Sequence, residues 1–239
     1  MTKRKHGRIL VIGDLHCPFH HKDAFKFLAA VKKKFKPDTV IQVGDEIDGN
    51  KISFHEKSPD IPFSPSSELE KAIWYLKDLY KLFPNVYILE SNHGSLIYRR
   101  QKFAGIPRTA LREWSEILEA PSGWRWSYDL EIRMSNGREL YCHHGLSKNV
   151  VKASQNKSTN YLSGHFHSEF NISYWANHKD IYFAMSVGCL IDHKSMAFEY
   201  GKNHLAKPIL GCAMIINGVP QLIPMPLNKK GRWIGKLNG

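Results

Sequence analysis

An α/β fold, with two packed mixed sheets and helices outside them, is what this 239-residue chain predicts. Three observations lead there. In the first half, short apolar runs ending in Gly-Asp alternate with segments of helical periodicity. Near residue 128 the pattern switches to short strand-like runs. A hairpin signal, Ser135-Asn-Gly, follows the switch.

Residues 8–13 and 39–43 are apolar runs suited to buried parallel strands that feed loops. Between them Ala24, Phe27, Leu28, Val31 and Phe35 recur at helical spacing and Pro37 closes the element, completing a βαβ unit. A second helix is expected over 68–83, stopped by Pro84, then a strand at 86–89 and helices near 95–104 and 109–119. The stretch 50–66, rich in Pro and Ser, reads as a long surface loop. Beyond residue 128, strands are expected at 130–134, 139–142, 160–164, 170–175, 180–187, 211–216 and 220–224. We read 1–239 as one domain with a basic C-terminal tail at 226–239.

The composition, 42% hydrophobic and 12% aromatic, is that of a soluble globular protein, and no run of 18 apolar residues exists to cross a membrane. The N-terminal run is too short for a secretory signal, so a cytoplasmic location is expected. Four scattered cysteines (Cys17, Cys142, Cys189, Cys212) form no CxxC pair and suit small buried groups in a reducing compartment. Lys plus Arg minus Asp plus Glu is 34 − 22, or +12, which favours a polyanionic partner, nucleic acid first. Part of that excess belongs to solvated faces such as Lys32-Lys33-Lys34. Oligomeric state is not legible.

Five short motifs carry the chemistry, each at the end of an apolar run: Asp14-Leu-His16, Gly44-Asp45-Glu-Ile-Asp48, Asn92-His93, His143-His144-Gly145 and Gly164-His165-Phe-His167. Side chains two apart at a strand end share one face, so Asp14 with His16, and His165 with His167, can each chelate one ion. Ligands gather at the carboxyl ends of parallel strands. A carboxylate such as Asp45 can bridge two cations there, and Asn92 adds a neutral oxygen. Asp48 suits a cap for the segment after it. Mixed N and O donors in this order are the equipment of a metal-dependent phosphoester hydrolase.

The order D-x-H, G-D-x-x-D, N-H, H-G, G-H-x-H resembles the calcineurin-like metallophosphoesterase superfamily. Ser91–Arg100, Val187–Asp192 and the run 197–201 are similar to its phage-encoded branch, which would place the protein in a host cytoplasm. The resemblance implies a four-layer α/β/β/α sandwich. It implies one metal on Asp14, His16, Asp45 and His167, and a second on Asp45, Asn92, His144 and His165. His93 would stand beside the scissile phosphate. The chain departs from the pattern where Ser91 and Gly94 replace the usual glycine and acid around Asn-His, which leaves the partner of His93 to come from elsewhere, with Asp48 a candidate. Gly49 replaces an Arg of phosphoprotein phosphatases, weakening that reading.

Two divalent ions about 3.5–4 Å apart would bridge a hydroxide and clamp a phosphate. Mn²⁺ is the expected ion, with Fe, Zn²⁺ or Ni²⁺ as alternatives that ligand type does not separate. Arg99 and Arg100, on a helix after His93, are candidates to fork a phosphate. Tyr98, Trp124, Trp126, Tyr174 and Trp175 suit either base stacking or core packing. The expected activity is a phosphodiesterase or nuclease on nucleic acid or nucleotides. The alternatives are a phosphomonoesterase (nucleotide, nucleic-acid end or phosphoprotein) and a non-catalytic module that keeps metals for structure.

Overall fold

The computed structural model describes residues 6–55, 57, 59–195, 197–198 and 205–237. Three residues of the phage-like run, Glu199, Tyr200 and Gly201, lie outside it. Strand β1 (Arg8–Ile12) leads through helix α1 (Ala24–Phe35) to β2 (Thr39–Gln42), and α2 (Pro65–Leu82) leads to β3 (Val86–Leu89). Helix α1 buries Ala24, Phe27, Leu28 and Val31 and ends at Lys36, whose backbone is left-handed just before Pro37. Its last turn carries Lys32, Lys33 and Lys34, where the helix dipole favours cations.

Helix α2 starts three residues earlier than its apolar periodicity suggests. Ser64 and Ser67 form a reciprocal cap and Pro65 occupies the first turn, so the end of the expected 50–66 loop is helical. After α3 (Leu96–Phe103) the expected helix at 109–119 is not continuous. Residues 108–110 form a 3₁₀ turn and α4 (Trp114–Ile117) is a single turn, because Leu111 and Glu113 are extended. The Trp114 indole donates to the Glu46 carboxylate at 2.6 Å, a tertiary bond that overrides a short helix's weak local preference.

Strands β4 (Trp124–Ser127), β5 (Asp129–Arg133) and β6 (Glu139–His143) follow, then α5 (Val150–Lys157) and β7 (Asn160–Ser163). The chain ends with β8 (Phe170–Ala176), β9 (Ile181–Val187), β10 (Gly211–Ile216) and β11 (Val219–Pro224). Periodicity marks neither β4 nor α5. Yet β6 and β7 are parallel, and a parallel pair needs a crossover such as α5.

One sheet runs β11-β10-β1-β2-β3-β4, parallel from β1 to β4; the other runs β5-β6-β7-β9-β8, with β6, β7 and β9 parallel. Alternation along β1 builds the layers. Ile9 and Val11 enter a core shared with Leu140, Cys142, Leu162 and Met185 of the second sheet, while Leu10 and Ile12 pack beneath α1 and α2. On the far face Tyr141, Tyr161 and Ala184 meet Val150 and Ala153 of α5. The result is a four-layer α/β/β/α sandwich. Each fully buried aliphatic side chain contributes about 1.5–3 kcal/mol.

The described part of the basic tail, residues 226–237, returns to the sandwich. Arg232 donates to the Asp23 carboxylate, and Trp233 packs edge-on against Phe27 at 5.7 Å.

Candidate metal centre

The five motifs stand at the carboxyl ends of β1, β2, β3, β6 and β7, on one rim of the sandwich. Three donor groups result: two share Asp45, and a third joins His16, Asp48 and His93. In the first, Asp14, His16, Asp45 and His167 bring ligand atoms within 4.8 Å of one another; in the second, Asp45, His144 and His165 do the same. Asn92 joins the second through its Oδ1, 2.8 Å from His144 Nε2. All seven residues expected as ligands therefore converge.

The backbone is bent to achieve this. His16, Asp45 and His165 have φ of 52°, 51° and 67°, the left-handed region that costs a side-chain-bearing residue about 1–3 kcal/mol and gathers at functional sites. Close approach also needs bare glycine. A Cβ on Gly44 would stand 2.8 Å from His144 Nδ1, and one on Gly164 would stand 2.6 Å from Asp14 Oδ1.

Hydrogen bonds define which nitrogens face inward. His144 Nδ1 donates to the Val43 carbonyl at 2.8 Å, which leaves the Nε2 lone pair 3.2 Å from Asp45 Oδ2. His16 Nδ1 meets Asp48 Oδ1 at 2.7 Å, and its Nε2 faces Asp45 Oδ2 at 3.4 Å and His167 Nε2 at 3.2 Å. His167 Nε2 is in turn 3.1 Å from Asp14 Oδ2. Lone pairs of nitrogen and carboxylate oxygen thus point at each other, and only a proton or a cation between them relieves the repulsion.

The titration behaviour records that demand. Burial alone would lower the His16 pKa, but hydrogen bonds and charge from Asp45 and Asp48 raise it to about 10. His144 opposes burial in the same way, through Asp45, and rises to about 9. For Asp45 burial pulls upward, and the charges of His144 and His93 with hydrogen bonds from His144 and His16 hold it well below the carboxylate range. Burial and the neighbouring His144 lower His165. Asp14 Oδ1, fully buried, has no hydrogen-bond partner. An orphaned carboxylate oxygen amid imidazole nitrogens is a donor set that fits a divalent cation.

His93 lies beside the first cluster, its ring centroid 4.5 Å from that of His16. Its amide donates to Asp45 Oδ1 at 3.2 Å and its Nδ1 donates to the Asp48 carbonyl, which leaves Nε2 free. Asp48 therefore does not act as a side-chain cap: its carboxylate orients His16 and its carbonyl orients His93. Arg100 sits elsewhere. Its guanidinium donates to the carbonyls of Ile52 and Ser53 and stacks on Phe54 with Arg99, and neither arginine lines the cleft above the clusters. That cleft, about 1110 Å³, is bordered by His55, Lys148, Phe166, His193, Lys194 and Phe198, among others. His20 and His21 stay away from it, the first between Phe25 and Tyr75 and the second bonded to the Gly231 carbonyl. All four cysteines are buried and unpaired, and none joins a ligand cluster among the described residues.

Sequence reasoning missed Glu46, which is 1% exposed and accepts from both Trp114 and Trp126 at 2.6 and 3.3 Å. Its signal, an acid inside an apolar strand end beside Asp45, is hidden by the G-D-x-x-D pattern.

Among solved structures, the chain is similar to Vps29 from Chaetomium thermophilum (9% identity over 97% of this chain and 95% of that one, TM-score 0.48). It is also similar to Vacuolar Protein Sorting 29 from Cryptosporidium parvum (15% identity, 98% and 96%, TM-score 0.48). A third is Yfce, a phosphoesterase from E. coli (12% identity, 95% and 96%, TM-score 0.46). No curated protein sequence gives a significant match. The profile of the calcineurin-like phosphoesterase family (Metallophos) matches residues 7–218. By that match, spanning nearly all of the sandwich and every motif on its rim, the chain belongs to the calcineurin-like phosphoesterase family.

Proposed function

We propose that the protein is a metal-dependent phosphodiesterase that hydrolyses nucleic acid or nucleotide phosphodiesters. The observation that carries this reading is the pair of donor clusters sharing Asp45 at the floor of one open cleft, with His93 beside His16 in the same cleft. Asp14, His16, Asp45 and His167 would hold one ion, and Asp45, Asn92, His144 and His165 the other. Divalent cations bound there, Mn²⁺ in our reading, would supply Lewis acidity, polarising phosphoryl oxygens and lowering the pKa of water. The chain's own groups do the rest. Asp48 keeps the His16 ring in place, the Val43 carbonyl keeps the His144 tautomer, and His93, in its imidazolium form with Nδ1–H held by the Asp48 carbonyl, gives its Nε2 proton to the leaving oxygen and becomes neutral. Lys194 lends the cleft wall positive charge, Lys148 there being paired with Glu169 at 3.2 Å, and a net +12 supports a polyanionic substrate.

Four buried unpaired thiols support a reducing cytoplasm as the compartment. The phage-type reading rests on residues 91–100 and 187–192. No helix among the described residues is long and apolar enough to cross a membrane.

The test compares bis-p-nitrophenyl phosphate with p-nitrophenyl phosphate, with Mn²⁺ and after EDTA. The expected result is faster turnover of the diester, abolished by chelation. Preference for the monoester would replace this reading with a phosphomonoesterase, and no turnover of either by metal-loaded protein would leave a binding module.

A further inference from the structure

The turn that carries Asn92 and His93 is a wall between two cavities. Asn92 and His93 face the metal cleft, whereas Ser91, Gly94 and Ser95 line a second cavity of about 400 Å³ on the other side. That volume is in the range of small-ligand sites. The turn packs tightly on the second cavity's side: a Cβ on Gly94, the residue after His93, would stand 3.7 Å from Trp114 Nε1 and 3.8 Å from Glu46 Oε1.

The chemistry of this cavity is mixed in a specific way. Half-buried Trp114 and Trp126 contribute aromatic surface over the buried Trp124, and Glu46 holds the indoles of Trp114 and Trp126 from below. Tyr98, 42% exposed, stands at the opening with the Arg108 guanidinium 5.5 Å over its ring. Arg112 lines the cavity as well, and neither arginine has a carboxylate partner among the described residues. Glu90 and Glu113 are also exposed there. Two guanidinium groups and two exposed carboxylates in one lining do not select a bare phosphate. Aromatic faces, carboxylate acceptors and guanidinium donors together select a group that is planar, carries an amino edge and is joined to an anion. A nucleotide has all three.

We propose that this cavity is a nucleotide subsite, which takes an unstacked base of a nucleic-acid substrate whose backbone passes over the Asn92–His93 turn from the metal cleft. Tyr98 and the tryptophans flank the base, Glu90 and Glu113 accept from its amino edge, and Arg108 and Arg112 meet its phosphate. This deepens the phosphodiesterase reading and rests on it for the position of the scissile group.

The experiment has two arms on the full chain. First, tryptophan fluorescence of EDTA-treated protein is titrated with guanosine 5′-monophosphate and with ribose 5-phosphate, so that the metal cleft does not report. Saturable quenching by the nucleotide alone is expected, weakened roughly 5–150-fold in Tyr98→Ala and Arg112→Ala. Both positions are at the surface, so the fold survives the change. Second, kcat/KM for a trinucleotide relative to bis-p-nitrophenyl phosphate should fall about tenfold in the same variants. An absence of saturable quenching, equal quenching by ribose 5-phosphate, or unchanged affinity and unchanged ratio in both variants overturns the subsite. Quenching without hydrolysis of either substrate sinks the phosphodiesterase reading while supporting the subsite. Hydrolysis without quenching does the reverse.

Discussion

The two halves of the metal centre are built on the same plan with different materials. In the first cluster two carboxylates, Asp14 and Asp45, meet His16 and His167, and the His16 ring is backed by a third carboxylate, Asp48, at 2.7 Å. In the second, Asp45 is shared, Asn92 offers a neutral amide oxygen, and His144 is backed only by the Val43 carbonyl at 2.8 Å. A carboxylate behind a ligating imidazole raises its basicity, whereas a carbonyl mainly selects the tautomer. The difference predicts that affinity is graded across one shared aspartate: the first cluster should be the tighter site, and the second the one a chelator empties first.

The largest effect belongs to the shared residue. Asp45→Asn removes the bridge between the clusters and should reduce metal content, read by elemental analysis, from about two ions to near none, with kcat/KM down by about 10³-fold or more, roughly 4 kcal/mol. If that variant keeps both ions, the clusters are independent and the comparison breaks.

Next is His144→Ala, which strips only the second cluster. About one ion should remain and survive dialysis against a weak chelator, because the first cluster is intact. Loss of both ions would show that neither site stands alone.

Asp48→Asn sharpens the grading. It keeps the shape of the side chain and removes the charge behind His16, so affinity for the tighter ion should fall about 10–100-fold in a competition titration. Affinity at the second site should change less. Equal weakening of both would mean that Asp48 acts through the shared fold rather than through His16.

The smallest effect is at a carboxylate outside both clusters, whose partner is a fixed guanidinium and not a removable ion. Hydrogen bonds from Arg232 hold the Asp23 carboxyl down to about 2. A depressed carboxyl stabilises the fold above its ordinary range, near pH 4, and that contribution is lost as pH falls from about 4 toward 2. Asp23→Asn should therefore lower Tm at pH 7 by roughly 2–4 °C, with the gap closing in acid and EDTA leaving it unchanged. A gap that persists at pH 2 would assign the effect to packing of Trp233.

The strands and the ligand motifs were legible because both are short-range patterns. Apolar runs identify β1, β2 and β3, and residues two apart at strand ends identify Asp14 with His16 and His165 with His167. The broken segment at 108–117 was not legible, since its conformation follows a bond from Trp114 to Glu46, 68 residues away. Helix α5 escaped for a related reason: its eight residues bury only Val150, Ala153 and Ser154, too few to show a period. Arg100 looked available as a phosphate fork because its spacing from His93 was right. The loop carbonyls that occupy it come from residues 52 and 53.

By itself the amino-acid order determined the α/β class and the sequence of strand-end donors, because a side chain's direction repeats every two residues in a strand and about every 3.6 in a helix, while the sharing of Asp45 was implied by the family resemblance. Tertiary structure alone decided what each donor faces. His16 meets Asp48 from 32 residues away and His167 from 151, Glu46 becomes the floor of a second cavity, and Arg100 is turned aside. Such pairings depend on how two sheets stack, and no local repeat encodes the distance between groups that only packing brings together.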